Sequence, residues 1–205
     1  MGEEGERQQS AQWLDAARSG DQLAVDRLLE RHLPGLRAFV RLRAGPLVRA
    51  RESVSDLVQS VCLEVLQHAD RFQFGGEAGF KHWLYTTALR RILNRHDYWT
   101  TQRRDVHRER PLQAVRDDES AASLAVCYRR FSSPSQKAMG REQLQRIEGA
   151  FDKLAETDRE IITISRLAGL NGAALAEALG KSEGACRVAL HRALARLAAL
   201  LDETP

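Results

Sequence analysis

The chain has 205 residues, 43% of them hydrophobic and 29% charged, with a formal net charge of +3. That length suits one large or two small domains. The pI near 9.0 and the dominance of arginine over lysine lean towards phosphate-bearing partners. No apolar run approaches a membrane span, and the acidic start (Glu3, Glu4, Glu6) is unlike a signal peptide, so the reading excludes membrane insertion and places the chain in the cytoplasm.

Strand signals are nearly absent, and helix signals recur along the whole chain. Residues 1–10 are expected to be disordered. Residues 21–33 bring Leu23, Leu28, Leu29 and Leu33 near one face, and Pro34 is placed to open a following helix that carries Leu36, Phe39 and Val40. From Asp56, the residues Leu57, Val58, Val61, Cys62, Val65, Leu66 and Ala69 form an amphipathic stripe. A glycine-rich loop from Phe72 to Gly79 follows, and then a helix from about Phe80 to Tyr98. Phe80, Trp83, Leu84, Ala88 and Ile92 of that helix read as core, and Arg90, Arg91, Asn94 and Arg95 lie on its other side. Between Arg90 and Arg110 there are seven arginines against Asp97, Asp105 and Glu109, a local balance of +4. A basic helix beside Tyr98 and Trp99 suits phosphate neutralisation with stacking on unpaired bases, or else is a solvated charged face.

Residues 106–140 break the rhythm with Pro111, an acidic run (Asp117, Asp118, Glu119) and the sequence Ser132-Ser133-Pro134-Ser135. They read as a flexible linker, and the role of the apolar island Leu124–Tyr128 within it is open. Helical periodicity returns with Leu144, Ile147, Phe151 and Leu154. Thr157 followed by Glu160 reads as a capping box before Ile161 and Ile162. The final segment has the punctuation of a helix-turn-helix. Asn171 can cap a short helix with Leu175, Ala176 and Leu179 facing inward, and Gly180 supplies a positive-φ turn. Ser182 then caps a second helix whose Cys186, Leu190, Ala193 and Leu197 recur at steps of four, three and four. Its other face presents Arg187, Val188, His191 and Arg192, in the arrangement of a helix that enters a DNA major groove. A plain core hairpin is the alternative reading of the same segment.

Catalytic chemistry is not indicated. The six histidines show no pair at metal-ligand spacing, and there is no phosphate loop, nucleophile elbow or paired-carboxylate motif, so no catalytic residue, metal or cofactor is expected. Cys62, Cys127 and Cys186 are far apart and read as free thiols.

The segment DLVQSVCLEVLQHADRF (56–72), followed by FKHWLYTTALRRILNR (80–95), resembles domain 2 of the extracytoplasmic-function (ECF) sigma factors of the sigma-70 family. The segment REIITISRLAGLNGAALAEALGKSEGACRVALHRALARL (159–197) resembles their domain 4. Both occur in the family order, across a linker. The resemblance implies an all-α chain with domain 2 at 11–105, a linker at 106–140 and a helix-turn-helix domain 4 at 141–205. It implies a subunit that directs core RNA polymerase to promoters and opens the −10 region. Asp56, Gln59 and Glu64 would meet the polymerase β′ clamp helices, and domain 4 the β flap. Phe72, Phe74, Arg90, Arg91, Asn94 and Arg95 would serve −10 recognition and melting. Ser182, Glu183, Arg187, Val188, His191 and Arg192 would serve −35 recognition. An anti-sigma factor is a further candidate partner. The chain departs from the family pattern at Ser60, where Glu is usual, at Arg90, where Asn is common, and at Val188-Ala189, where Ser-Arg is common. The alternatives are a stand-alone helix-turn-helix regulator, which would need no polymerase, and a helical adaptor that binds only protein.

Overall fold

The computed structural model describes residues 3–71, 76–105 and 141–203. All regular structure among these residues is helical, in agreement with the all-α expectation. The first domain comprises α1 (Glu3–Arg18), α2 (Gln22–Arg43), α3 (Gly45–Arg49), α4 (Val54–Gln67), a 3-10 turn (Ala69–Arg71) and α5 (Gly76–Asp105). The second comprises α6 (Arg141–Lys153), α7 (Glu156–Ile162), a π turn (Thr163–Leu167), α8 (Gly172–Leu179) and α9 (Glu183–Asp202). The linker at 106–140, with Leu124–Tyr128, lies outside the described residues, as do Phe72 and Phe74.

Local chemistry sets several boundaries. Asp21 caps α2 by accepting from the Leu23 and Ala24 amides at 2.9 and 3.4 Å. Ser53 caps α4 through the Asp56 amide at 3.3 Å. Leu28, Leu36, Phe39 and Val40 of α2 then meet Val61 and Val65 of α4 and Phe80, Leu84 and Ala88 of α5 in one core, where each is at most 1% exposed. Burial on that scale stabilises by roughly 1.5–3 kcal/mol for each large side chain. The stripes read from the sequence on α4 and α5 are this core.

Four expectations are corrected. Residues 3–10 are helical rather than disordered, and Ser10 and Leu14 are buried as α1 packs along α2. Pro34 lies inside α2 and does not open a new helix. Burial of Leu28, Leu29, Leu36 and Phe39 on both sides of it outweighs the lost backbone hydrogen bond and the ring's clash with the preceding turn. Leu23 is 74% exposed, out of the core stripe. Thr157 is not a cap: α7 starts at Glu156 behind Ala155, with no side-chain cap bond. The neighbouring Asp158 is drawn inward instead, where it is 7% exposed and takes both prongs of the Arg196 guanidinium at 2.6 Å. The α5 helix also runs past both ends of the expected span.

The second domain packs around Ile147, Phe151, Ile162, Cys186, Ala193 and Leu197. Thr163, fully buried at the π turn, donates its hydroxyl to the Arg159 and Glu160 carbonyls at 2.7 and 3.1 Å. That turn faces the first domain, where the Tyr85 hydroxyl donates to the Leu167 carbonyl at 3.2 Å.

Candidate nucleic-acid interface

The helix-turn-helix is built by local rules. Gly180 ends α8 in the left-handed region at φ 61°, ψ 35°, and the Lys181 amide returns to the Ala176 carbonyl at 3.0 Å. Ser182 is extended and accepts from the Ala185 amide at 3.2 Å, which starts α9 at Glu183. Asn171 stands at the head of α8 but makes no side-chain cap bond. Cys186, Ala193 and Leu197 are buried and Leu190 is half-buried, whereas Ser182, Glu183, Arg187, Val188, His191 and Arg192 are all exposed. No ion pair ties down Arg187 or Arg192 among the described residues. Val188 is 51% exposed, an apolar side chain held in water between two cations on the face that would enter a groove. Lys181, also exposed, stands at the turn and adds a charge that the sequence reading did not single out.

The basic side of α5 is arranged differently. Arg90 pairs with Glu64 of α4, so a residue read as DNA-facing and one read as polymerase-facing meet each other. Arg91 donates to the Ser60 hydroxyl at 3.1 Å, at the position where the family usually carries Glu. Arg95 pairs with Glu52, which also accepts from the Trp99 indole N–H. The Arg95 guanidinium stands 4.7 Å from the Tyr98 ring centre and 5.6 Å from that of Trp99, and Arg51 stands 5.4 Å from Trp99 on the same cluster. Asn94 is exposed. At the head of α5, Glu77 lies 3.3 Å from Lys81 and 3.5 Å from His32, which fixes the helix start; Gly76 and Gly79, expected in a loop, belong to this helix.

On α4, Asp56, Gln59, Leu63 and Gln67 are exposed at steps of three, four and four, and form one outward face. Leu63 is 51% exposed and was missed by the sequence reading. Its signal was an apolar residue out of phase with the Leu57/Val61/Val65 stripe. Glu64 lies off this face, half-buried against Arg90. No group of three metal-ligating side chains occurs among the described residues, and none of their helices is long and apolar enough to cross a membrane. Cys62 and Cys186 are free, and burial pushes the Cys62 thiol above its ordinary value.

Two family models match the chain: Sigma-70 region 2 over residues 28–104 and Sigma-70 region 4 over residues 144–197. The chain is 30% identical to the ECF RNA polymerase sigma factor ShbA of Streptomyces griseus, over 90% of this chain and 91% of that protein. It is 29% identical to the ECF sigma factor SigD of Mycobacterium tuberculosis, over 87% of this chain and 77% of that protein. The solved structure of CnrH in complex with the cytosolic domain of CnrY matches with a TM-score of 0.53 at 26% identity, over 97% of this chain and 98% of that one. The chain therefore belongs to the ECF group of sigma-70 RNA polymerase sigma factors. As such it is a DNA-binding regulatory subunit that works with RNA polymerase in promoter-specific transcription initiation.

Proposed function

We propose that the two domains divide promoter recognition: α9 reads the −35 element and α5 the −10 region, while the outward face of α4 holds the polymerase. The observation that carries this reading is α9 itself. A helix capped by Ser182 presents Arg187, Val188, His191 and Arg192 to solvent, opposite the buried Cys186 and Ala193. Arginine is suited to bidentate contact with guanine in a major groove, and Val188 to contact with a thymine methyl.

In the −10 region, Arg90, Arg91 and Arg95 form a pre-positioned cationic ridge beside the aromatic pair Tyr98 and Trp99, and Asn94 is open to base edges. Phe72 and Phe74, known from sequence alone, would stack on bases freed from the duplex, each worth roughly 1–3 kcal/mol. On this reading Phe→Ala changes slow opening of duplex promoters and are rescued on a premelted template. Asp56, Gln59 and the missed Leu63 form the face for the β′ clamp helices, and domain 4 approaches the β flap. An anti-sigma factor is a candidate regulator, by analogy with CnrH in complex with the cytosolic domain of CnrY. This work would take place in the cytoplasm, where the polymerase acts.

The deciding experiment is in vitro transcription with purified core polymerase on a promoter library, with start sites mapped. The expected result is polymerase-dependent initiation at promoters that share two elements. Sequence-specific DNA binding of equal strength without polymerase would favour the stand-alone regulator. Replacing Asp56, Gln59 and Leu63 together should leave the helical content unchanged and weaken holoenzyme assembly. Normal assembly would remove the α4 face from the scheme.

A further inference from the structure

The seam between the two domains is held by charges sorted strictly by side. Arg41 and Arg43 at the end of α2 and Arg49 of α3 pair with Glu148 and Asp152 of α6 and Glu156 of α7. Every cation in this ladder belongs to the first domain and every carboxylate to the second. Glu148 and Asp152 are one helical turn apart on α6, and Glu156 stands at the start of α7. The Arg49–Asp152 contact is 2.6 Å, and Arg43 is 8% exposed. Beside the ladder the backbones approach closely. A Cβ on Gly35 would stand 3.3 Å from the Leu167 carbonyl oxygen across the seam, and 2.6 Å from the Tyr85 hydroxyl oxygen of its own domain, the hydroxyl that donates to Leu167.

The seam is nonetheless not a sealed core. A cavity of about 470 Å³ lies within it, lined by Arg43, Leu89, Ile92, Leu93, Asp152 and Glu156. The Nε and Nη1 atoms of Arg43 and the Oδ1 atom of Asp152 are buried there without a hydrogen-bond partner among the described residues. Buried polar groups left unmatched offset much of what the ion pairs contribute. The closed arrangement is thus specific in register yet weakly held, as befits two bodies that separate.

Separation is required if α5 and α9 engage one promoter, the reading on which this inference rests. Elements centred near −10 and −35 are about 25 base pairs apart, or about 85 Å at ~3.4 Å per pair. A compact chain of this length measures only about 45 Å across. In the closed protein, α8 of the helix-turn-helix touches α5 itself. We propose that the Arg41/Arg43/Arg49–Glu148/Asp152/Glu156 ladder is an electrostatic latch. It holds the free protein closed, and it opens when polymerase draws the two domains apart.

Small-angle scattering on the full chain, without polymerase or DNA, tests the latch apart from the promoter reading. At low salt the wild type should be compact, with a radius of gyration of about 17 Å. Glu148→Lys with Asp152→Lys should raise it towards about 24 Å, the value for two ~13 Å domains with centres ~40 Å apart. Adding Arg41→Glu and Arg49→Glu should bring it back, which separates loss of the latch from loss of fold. Circular dichroism is expected to be unchanged throughout. A wild type already extended at low salt, or a reversed-charge variant as compact as the wild type, overturns the latch. So does failure of the charge swap to restore compaction. Failure of promoter-specific transcription with intact closure would instead count against the promoter reading.

Discussion

The arginines of α5 and those of α9 carry the same charge in opposite settings. Arg90, Arg91 and Arg95 are each committed to a partner on α4 or in the turn before it, whereas Arg187 and Arg192 are exposed, with no counter-ion among the described residues. A paired arginine is held in place but partly neutralised. An unpaired one keeps its full charge and its rotamer freedom until it meets DNA. The difference fits the two proposed tasks: a fixed platform for single strands on α5, and a reader that inserts into a duplex groove on α9. It also explains why Tyr98 and Trp99 follow the basic run. Arg95 and Arg51 stand over their rings, so the aromatics organise the cations and are more than bystanders to solvation.

The sharpest break in this contrast should come from α9. Arg187→Ala and Arg192→Ala should each weaken −35-dependent initiation by about 1–3 kcal/mol where the side chain meets a base edge. Because neither arginine has an ion-pair partner among the described residues, thermal stability should be unchanged. A residue that meets only phosphate should lose affinity evenly across −35 sequences, with a shallower salt dependence. Full activity in both single variants would end the assignment.

On α5 the same kind of change should act through structure. Glu52 is the shared acceptor of Arg95 and Trp99, and its side chain is only 16% exposed. Glu52→Gln keeps the shape but removes the charge that holds Arg95. The expected cost is on the order of 1 kcal/mol in stability, since both donors are only half-buried. Binding of single-stranded −10 oligonucleotides should fall while −35 duplex binding is spared, and Glu52→Asp should recover part of it. Equal losses on both DNA forms would make Glu52 a general stabiliser with no part in positioning the platform.

How much of this was legible in the sequence follows the range of the forces involved. Gly180 and Ser182 act on their own backbone neighbours, so the helix-turn-helix and the outward face of α9 could be read directly. The core stripes of α4 and α5 were legible for the same reason, through periodicity. Pro34 and Thr157 misled because each carries a strong local preference that packing outvotes. The flanking leucines carry α2 through the proline, and Arg196 takes Asp158 from 38 residues away. The partners of the α5 arginines lie 26, 31 and 43 residues off, and those across the seam 103 to 113. No local pattern announces pairings at that range. The sequence could therefore mark Arg90 and Glu64 as functional candidates without revealing that they face each other.

That pair gives the smallest and most discriminating effect. The Arg90 side chain is 62% exposed and Glu64 22%, so the pair itself stabilises little, a few tenths of a kcal/mol and no more than about 1. Glu64→Gln should thus leave the melting temperature nearly unchanged. Its consequence is electrostatic, because it releases Arg90 from a carboxylate on α4, the helix proposed to face the polymerase. If Arg90 serves DNA, the released guanidinium should bind single-stranded −10 DNA more tightly at low salt, and the gain should vanish as salt rises and screens it. If Glu64 instead serves the polymerase, the same variant should weaken holoenzyme assembly and leave DNA binding alone. A salt-sensitive gain in DNA affinity with normal assembly would assign Glu64 to holding the α5 platform, as Glu52 does further along the helix. A loss of assembly alone would return Glu64 to the α4 face beside Asp56 and Gln59.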